Sequence, residues 1–145
     1  METPAIRRKV VLVVEDERAI GELIAGAISD EPGYCAIHVT EATAALETTK
    51  HVIPDLMVVD VRLPGMSGLE LYDRLQTDSR TRNVPFLFET ASGSETIVEF
   101  QRRGIATYVK KPFDLNELVS YVKRLASGRD RATGDPDAQA RQQHA

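Results

Sequence analysis

The sequence alternates short, apolar, β-rich runs with segments whose apolar residues recur at helical spacing, and this alternation constrains the fold more than any other feature. Strands that are buried on both faces need uninterrupted apolar runs, because neither face meets water. Four runs meet this condition and a weaker fifth accompanies them: residues 10–14, 56–59, 86–88 and 108–109, with residues 35–39 as the fifth. Between residues 9 and 125 the pattern predicts an α/β fold, in which helices cover both faces of a parallel sheet.

The segments between these runs carry helix signals. Between residues 20 and 28 the apolar side chains recur at i, i+3, i+4, i+7 and i+8, which gives a helix one buried stripe. Two further helix starts are predicted where a capping residue stands three positions before a glutamate: Ser67 with Glu70, and Asp114 with Glu117. Residues 94–103 have few large apolar side chains, so we expect the helix there to be the most loosely packed.

The composition is that of one ordinary protein domain. The chain has 145 residues, of which 42% are hydrophobic and 28% charged, and its net charge is −4. This charge balance does not favour nucleic-acid binding, and the longest apolar run is far too short to cross a membrane. We expect one domain over residues 8–127, an N-terminal extension of residues 1–7, and a disordered tail over residues 128–145, which lack large apolar side chains. Cys35 is the only cysteine, which fits the reducing cytoplasm.

Polar residues stand where four of the five predicted strands end. They are Glu15 and Asp16, then Asp60, then Glu89 and Thr90, and finally Lys110 and Lys111. Open α/β sheets bind ligands outside the carboxyl ends of their strands, and parallel strands bring those ends to one edge. We therefore expect carboxylates, a hydroxyl and an ammonium group to converge on one small site.

These side chains favour a metal site that handles phosphoryl groups. Three carboxylates, those of Glu15, Asp16 and Asp60, repel one another at close range unless a cation lies among them. Oxygen ligands without a nearby His or Cys favour Mg²⁺, or Mn²⁺, over zinc. The metal and one lysine would balance three acids, and a phosphoryl oxygen suits such a site, with a carboxylate as its nucleophile.

Four sequence motifs resemble those of the receiver domains of bacterial two-component response regulators. They are Val-Val-Glu-Asp-Glu at 13–17, the segment from Pro-Asp-Leu-Met to Gly-Leu-Glu-Leu at 54–71, Thr-Ala at 90–91, and Lys-Pro-Phe at 111–113. The resemblance covers residues 8–127 and is to a stand-alone receiver of the kind that chemotaxis regulators represent. It implies a flavodoxin-like (βα)5 fold, a doubly wound parallel sheet with strand order 2-1-3-4-5.

The resemblance assigns roles to the acidic residues and their neighbours. It implies that Asp60 is the phosphoacceptor and that Asp16 and Asp60 bind Mg²⁺ directly. It also implies that Glu15 reaches the metal largely through water and that the backbone carbonyl of Arg62 adds a ligand. Glu15 replaces the aspartate that is commoner in the family. Arg62 is bulky and charged at a position that, in the family, affects how long the phosphoryl group survives.

The same resemblance assigns roles beyond the metal. Lys111 matches the lysine that contacts the phosphoryl group, and Thr90 matches the hydroxyl residue that bonds to it. Tyr108 matches the aromatic switch position, and the Lys111–Pro112 bond matches a cis peptide. Glu89 departs from the family, in which an apolar residue is usual at that position, and no role for Glu89 follows from the sequence.

The function that the resemblance implies is a phosphoacceptor switch. The protein would take a phosphoryl group from a histidine kinase or a histidine phosphotransfer protein, and would catalyse only its own phosphorylation and dephosphorylation. Its output would be homodimerisation or binding of a protein target through the helix of residues 94–103, the strand after it and the last helix. We expect no nucleic-acid partner, because no output domain follows Leu125, and no membrane partner, because the apolar runs are short. In a fragment, the tail would be a linker between domains.

Two other functions stay open. A pseudo-receiver would bind partners without phosphorylation, but it would more naturally have lost Asp60 or Lys111. A phosphatase of the haloacid dehalogenase type also uses a nucleophilic aspartate with Mg²⁺. Such an enzyme would have a second aspartate two residues after Asp60, where this chain has Arg62.

Overall fold

The computed structural model describes residues 7–91 and 93–128, and strands and helices alternate along them. The elements are β1 (Lys9–Val14), α1 (Arg18–Ser29), β2 (Tyr34–Val39), α2 (Ala42–Thr49), β3 (Leu56–Asp60), α3 (Gly68–Gln76), β4 (Phe86–Thr90), α4 (Ser94–Arg103), β5 (Tyr108–Lys110) and α5 (Leu115–Ala126). The predicted extension and tail fall almost wholly outside the described residues, so the predicted domain boundaries stay predictions. No helix in the described part of the chain is long and apolar enough to cross a bilayer.

All five strands are parallel, and they lie in the order β2-β1-β3-β4-β5. This order confirms the predicted α/β class and the flavodoxin-like topology. The strands extend by one or two residues beyond the apolar runs, since β3 includes Asp60 and β4 continues through Glu89 to Thr90. Backbone pairing does not depend on side-chain polarity, so a strand can continue into the polar residues of a site.

Alternate residues of each strand face opposite layers of the core, as the pleat requires. One face, which includes Val13 and Val58, packs against α1 and α5. The other face, which includes Val59 and Phe88, packs against α2, α3 and α4. The central strands β1, β3 and β4 are almost entirely buried, which agrees with the uninterrupted apolar runs that predict them.

The helix ends follow the predicted capping. The hydroxyl of Ser67 accepts a hydrogen bond from the backbone N–H of Glu70 at 3.1 Å, and the carboxylate of Asp114 accepts one from Glu117 at 3.1 Å. In α4 only Phe100 is fully buried, whereas each other helix buries at least three residues. This difference agrees with the expectation that α4 is the most loosely packed helix.

Candidate functional site

The pleat and the register of the sheet place four ionisable side chains on one face, at one edge. Asp60 and Glu89 are direct partners across β3 and β4. The backbone pairing then continues past the strands, because the N–H of Glu15 donates to Val39 and the N–H of Lys111 donates to Thr90. Alternation directs four side chains toward the α1 and α5 layer: those of Glu15, Asp60, Glu89 and Lys111.

Lys111 lies at the centre of this group. Its ammonium nitrogen donates hydrogen bonds to Asp60 Oδ2 at 2.8 Å and to Glu15 Oε1 at 3.1 Å. The same nitrogen lies 3.8 Å from Glu89 Oε1. Burial lowers the pKa of the Lys111 ammonium, but its hydrogen bonds to Asp60 and Glu15 outweigh this effect and raise the pKa above its ordinary value. Lys111 is therefore a cation at neutral pH.

The three carboxylates predicted to bind a metal are close together. One oxygen each of Glu15, Asp16 and Asp60 lie within 4.8 Å of one another. Glu15 and Asp60 are buried, while Asp16 is exposed and leaves the group open to solvent on one side. Glu15 Oε2 is buried without a hydrogen-bond partner in the described part of the chain. Mg²⁺ and Mn²⁺ prefer hard oxygen ligands such as these, and a bound cation would also provide a partner for the buried Oε2 atom of Glu15.

Without a metal ion, and even beside the Lys111 ammonium, this group holds a proton. Burial raises the pKa of Glu15 from its ordinary value of 4.5 to about 9, and hydrogen bonding to Asp60 and repulsion from Glu89 act in the same direction. A carboxyl that is protonated at neutral pH is the response expected when several acids share a site that has lost water.

Glu89 is the site residue whose role the sequence did not indicate. It is fully buried, and neither of its carboxylate oxygens has a hydrogen-bond partner in residues 7–91 and 93–128. Burial raises its pKa to about 7, although the nearby charge of Lys111 lowers it. Alternation along the strand was the available sequence signal. Successive side chains of a strand point to opposite faces, so Glu89, two residues after Leu87, lies on the same face as Leu87, which is the face that carries Asp60.

The loop after β3 holds Asp60, the predicted phosphoacceptor, in place. The backbone N–H of Arg62 donates to Asp60 Oδ1 at 3.0 Å, while the Arg62 side chain is exposed. The role of the Arg62 carbonyl as a metal ligand stays a prediction. Gly68, the first residue of α3, packs so closely that a Cβ atom there would overlap the carbonyl oxygen of Asp60. Only glycine allows α3 to begin this close to the end of β3.

The predicted switch residues lie on the opposite face of the sheet. Thr90 is buried at the end of β4. Tyr108 pairs with Phe88 across β4 and β5, and its ring centroid lies 4.9 Å from that of Phe100 in α4. Thr90 and Tyr108 therefore share a face with α4 and not with the acidic group. The Lys111–Pro112 peptide is cis, as predicted.

His38 contacts the site from β2, and no sequence pattern indicated this role. Its Nε2 lies 2.9 Å from the carbonyl oxygen of Glu15, which can only accept, so Nε2 carries the hydrogen and donates it. The His38 ring lies against α1 at Gly21, where a Cβ atom would overlap it. This contact fixes the backbone of Glu15 from the edge of the sheet.

Comparison with known proteins agrees with the site. Residues 11–123 match the family model of the response regulator receiver domain. The phosphate regulon transcriptional regulatory protein PhoB of Pseudomonas aeruginosa is 35% identical over 133 residues, which cover 91% of this chain and 56% of that protein. The hybrid signal transduction histidine kinase D of Dictyostelium discoideum is 34% identical over 119 residues, which cover 81% of this chain and 8% of that protein.

Solved structures show the same likeness. The chemotaxis response regulator CheY4 of Vibrio cholerae has a TM-score of 0.74 at 25% identity, over 81% of this chain and 98% of that one. The receiver domain of a histidine kinase from Syntrophus aciditrophicus has a TM-score of 0.76 at 29% identity, over 88% of this chain and 96% of that one. With its acidic group, its central lysine and its sheet order, the chain belongs to the response regulator receiver domain family.

Proposed function

We propose that this receiver domain accepts a phosphoryl group on Asp60 from a phosphohistidine donor, in a reaction that depends on Mg²⁺. The observation that carries the proposal is the position of the Asp60 carboxylate. It lies 2.8 Å from the Lys111 ammonium group and within 4.8 Å of oxygens from Glu15 and Asp16. The two sides of the carboxylate thus offer a fixed cation and a place for a divalent metal.

The transfer needs a nucleophile and donors to the phosphoryl oxygens. A carboxylate oxygen of Asp60 attacks phosphorus, the P–O bond forms as the P–N bond breaks, and the electron pair leaves with the imidazole nitrogen of the donor. Lys111 donates to a phosphoryl oxygen, and Thr90 donates its hydroxyl once the phosphoryl group is in place. Glu15, Asp16 and Asp60 would hold the metal, which when bound neutralises charge on the transferring group.

Two alternative functions have less support. A phosphorylation-independent pseudo-receiver would not require acidic residues around Lys111. In this protein both Asp60 and Lys111 are present, and the Lys111 ammonium group donates a hydrogen bond to the Asp60 carboxylate. A phosphatase of the haloacid dehalogenase type would place a second acid at position 62. Position 62 holds an arginine whose side chain is exposed, and its backbone N–H donates to Asp60 Oδ1. We therefore propose that the protein is not a free-standing enzyme and catalyses only its own phosphorylation and dephosphorylation.

The proposed partners are a histidine kinase or a histidine phosphotransfer protein as donor, and a protein target or a second copy as the output. The likeness to a hybrid histidine kinase supports the first, and the weakly packed α4 beside Tyr108 supports an output face formed by α4, β5 and α5. The expected absence of a nucleic-acid partner stays a prediction, because PhoB is named as a transcriptional regulatory protein and the chain spans only 56% of it. The cytoplasm is the proposed location, where the free thiol of Cys35 would stay reduced.

A phosphate-affinity gel tests the proposal directly. Incubation with acetyl phosphate and Mg²⁺ should retard the wild-type protein, and retardation should be lost with a chelator or in Asp60→Asn. Asp30→Asn, which removes an exposed acid at the end of α1, is the matched control and should behave as wild type. A shifted band that persists in Asp60→Asn would contradict the assignment of the phosphoacceptor.

A further inference from the structure

Glu89 is a buried acid that has no role in the proposed phosphoryl transfer. Its side chain is fully buried at the end of β4, and within the described ranges its oxygens receive no hydrogen bond from an N–H or hydroxyl group, although a proton on the neighbouring carboxyl of Glu15 would bond to it. A buried carboxylate without partners costs several kcal/mol in general, so an acid at such a position needs an explanation. The nearest cation is Lys111, whose ammonium nitrogen lies 3.8 Å from Glu89 Oε1.

The geometry around Lys111 gives Glu89 a distinct place. The ammonium group has three N–H donors, and three carboxylates surround it, at 2.8 Å for Asp60, 3.1 Å for Glu15 and 3.8 Å for Glu89. Asp60 and Glu15 also belong to the group of oxygens that suits a metal, whereas Glu89 does not. When a cation engages the first two carboxylates, Glu89 is the acceptor that stays available to the lysine.

We propose that Glu89 is a positioning residue that holds the ammonium group of Lys111 at the buried end of the site. The ammonium group then interacts with both Glu89 and the phosphoryl group, and not with the phosphoryl group alone. The inference rests on the proposed function, because it concerns phosphoryl transfer at Asp60. Glu89 lies outside the group of oxygens from Glu15, Asp16 and Asp60 that suits a metal. It acts through Lys111, and a receiver with an apolar residue at this position would leave the lysine to the phosphoryl group alone.

This role predicts opposite effects on two ligands of the same site. Removing the Glu89 charge makes the electrostatic potential at the metal ligands less negative. It also allows Lys111 to interact with Asp60 and Glu15 alone. For both reasons Mg²⁺ should bind more weakly. The freed lysine should at the same time strengthen binding of an anionic phosphoryl group. The charge pair of Glu89 and Lys111, 3.8 Å apart, is worth about 1 kcal/mol even at the dielectric constant of water, so releasing the lysine should change each affinity by about fivefold.

The test uses Glu89→Gln, which keeps the size and shape of the side chain, and Glu89→Met, which replaces the acid with an apolar chain of similar volume. Mg²⁺ affinity is measured by calorimetry, and affinity for beryllofluoride, a phosphoryl mimic, is measured by NMR at saturating Mg²⁺. We expect both variants to bind Mg²⁺ more weakly and beryllofluoride more tightly, and to be phosphorylated faster by acetyl phosphate. Glu89→Asp, which keeps the charge, should stay nearer the wild type in all three measurements.

The control is Glu70→Gln, the same chemical change on an exposed residue of α3, and it should change nothing. A variant that merely damages the site would bind both ligands more weakly, so weaker binding of both, or no change in either, would overturn the role of Glu89. Failure of the proposed function is distinguishable, since the wild-type protein itself would then bind no beryllofluoride and accept no phosphoryl group.

Discussion

At the scale of single residues, the site is defined by one cation among several acids. Lys111 donates to Asp60 and Glu15 and lies near Glu89, and the exposed Asp16 completes the group of oxygens that could hold a metal. Because three of these acids are buried, their charges are weakly screened by solvent. Small changes in charge at this site should therefore have large effects on metal affinity and on protonation.

Asp16→Ala tests the metal site with little disturbance of the fold, because the Asp16 side chain is exposed. Loss of one carboxylate ligand should weaken Mg²⁺ binding by about tenfold or more, with little change in the free energy of unfolding measured in a chelator. Calorimetric titration gives the affinity and urea unfolding gives the stability. An unchanged Mg²⁺ affinity would show that the metal binds elsewhere.

Stability without metal should fall as pH rises. The pKa of Glu15 is 4.5 in its ordinary state and about 9 in the folded protein, so between these values the folded state binds more protons than the unfolded state. The free energy of unfolding then decreases with pH from about pH 5 to about pH 9. The measurement is denaturant unfolding in a chelator across this range. Glu15→Gln should flatten the dependence above about pH 7 and leave below it the smaller slope that Glu89, whose pKa is raised to about 7, contributes. A variant with the wild-type slope throughout would rule out Glu15 as a source.

At the scale of elements, the start of α3 and the end of α4 determine how rigidly the site is packed and where it can move. The start of α3 packs directly on the backbone of Asp60 through Gly68. The end of α4 is tied to α3 by Arg103, which donates two hydrogen bonds of 2.8 Å to the carboxylate of Asp73 and one of 2.8 Å to Glu99. The first contact is rigid backbone packing, whereas the second is a pair of side chains near the surface that can separate.

Gly68→Ala should destabilise the protein by about 1–3 kcal/mol, because the new methyl group would overlap the carbonyl oxygen of Asp60 and force α3 or the loop to shift. The displacement should also slow phosphorylation of Asp60. Gly26→Ala is the matched control, since its Cβ would meet nothing within 4 Å and alanine favours the helix. Urea unfolding of the two variants should give changes of opposite sign, and equal changes would contradict the close packing at Gly68.

Arg103→Ala should loosen α4. The partner carboxylate of Asp73 is half exposed, so we expect a coupling of about 1 kcal/mol or less from a double-mutant cycle of Arg103 and Asp73. Amide hydrogen exchange across residues 94–103 should become faster, because Phe100 is the only fully buried residue of this helix. Arg102→Ala removes a more exposed pair with Glu99 at 3.5 Å and should have a smaller effect. Equal exchange rates in both variants would contradict a specific tie through Arg103.

At the scale of the whole molecule, signal must cross the sheet. The acidic group faces α1 and α5, whereas Thr90 and Tyr108 lie on the face that packs against α4. In the proposed switch, a phosphoryl group on Asp60 would give the Thr90 hydroxyl a strong acceptor, and movement of Thr90 would change the space beside Tyr108. The least firmly packed helix then adjusts at the lowest cost.

Thr90→Ala should separate phosphorylation from output. The variant should still take a phosphoryl group at Asp60, yet lose most of the phosphorylation-dependent change, whether dimerisation or target binding. A shift of about 1–3 kcal/mol in the wild type corresponds to a change in partner affinity of roughly 5- to 150-fold. Chemical-shift mapping with beryllofluoride should reach Tyr108 and residues 94–103 in the wild type but not in Thr90→Ala. Equal perturbations in both proteins would disprove this route.

The sequence by itself determined the α/β class and which strand ends carry the candidate site residues, whereas the strand order followed from the family resemblance. Uninterrupted apolar runs predict buried parallel strands, and such strands place their carboxyl ends together, so Asp60 and Lys111 could be brought to one edge without coordinates. The capping pair Ser67 and Glu70 likewise fixed the start of α3, because caps depend only on neighbours in the chain.

Only the tertiary structure decided how the residues around this centre meet. Glu89 lies beside Lys111, whereas Thr90, its neighbour in sequence, faces α4. This arrangement depends on the register between strands that lie far apart in the chain. The support of Glu15 by His38 and the fit of Gly68 against Asp60 depend on how closely helices and strands approach. Periodicity along one segment specifies which side chains share a face, but distances between segments arise only when the whole core packs.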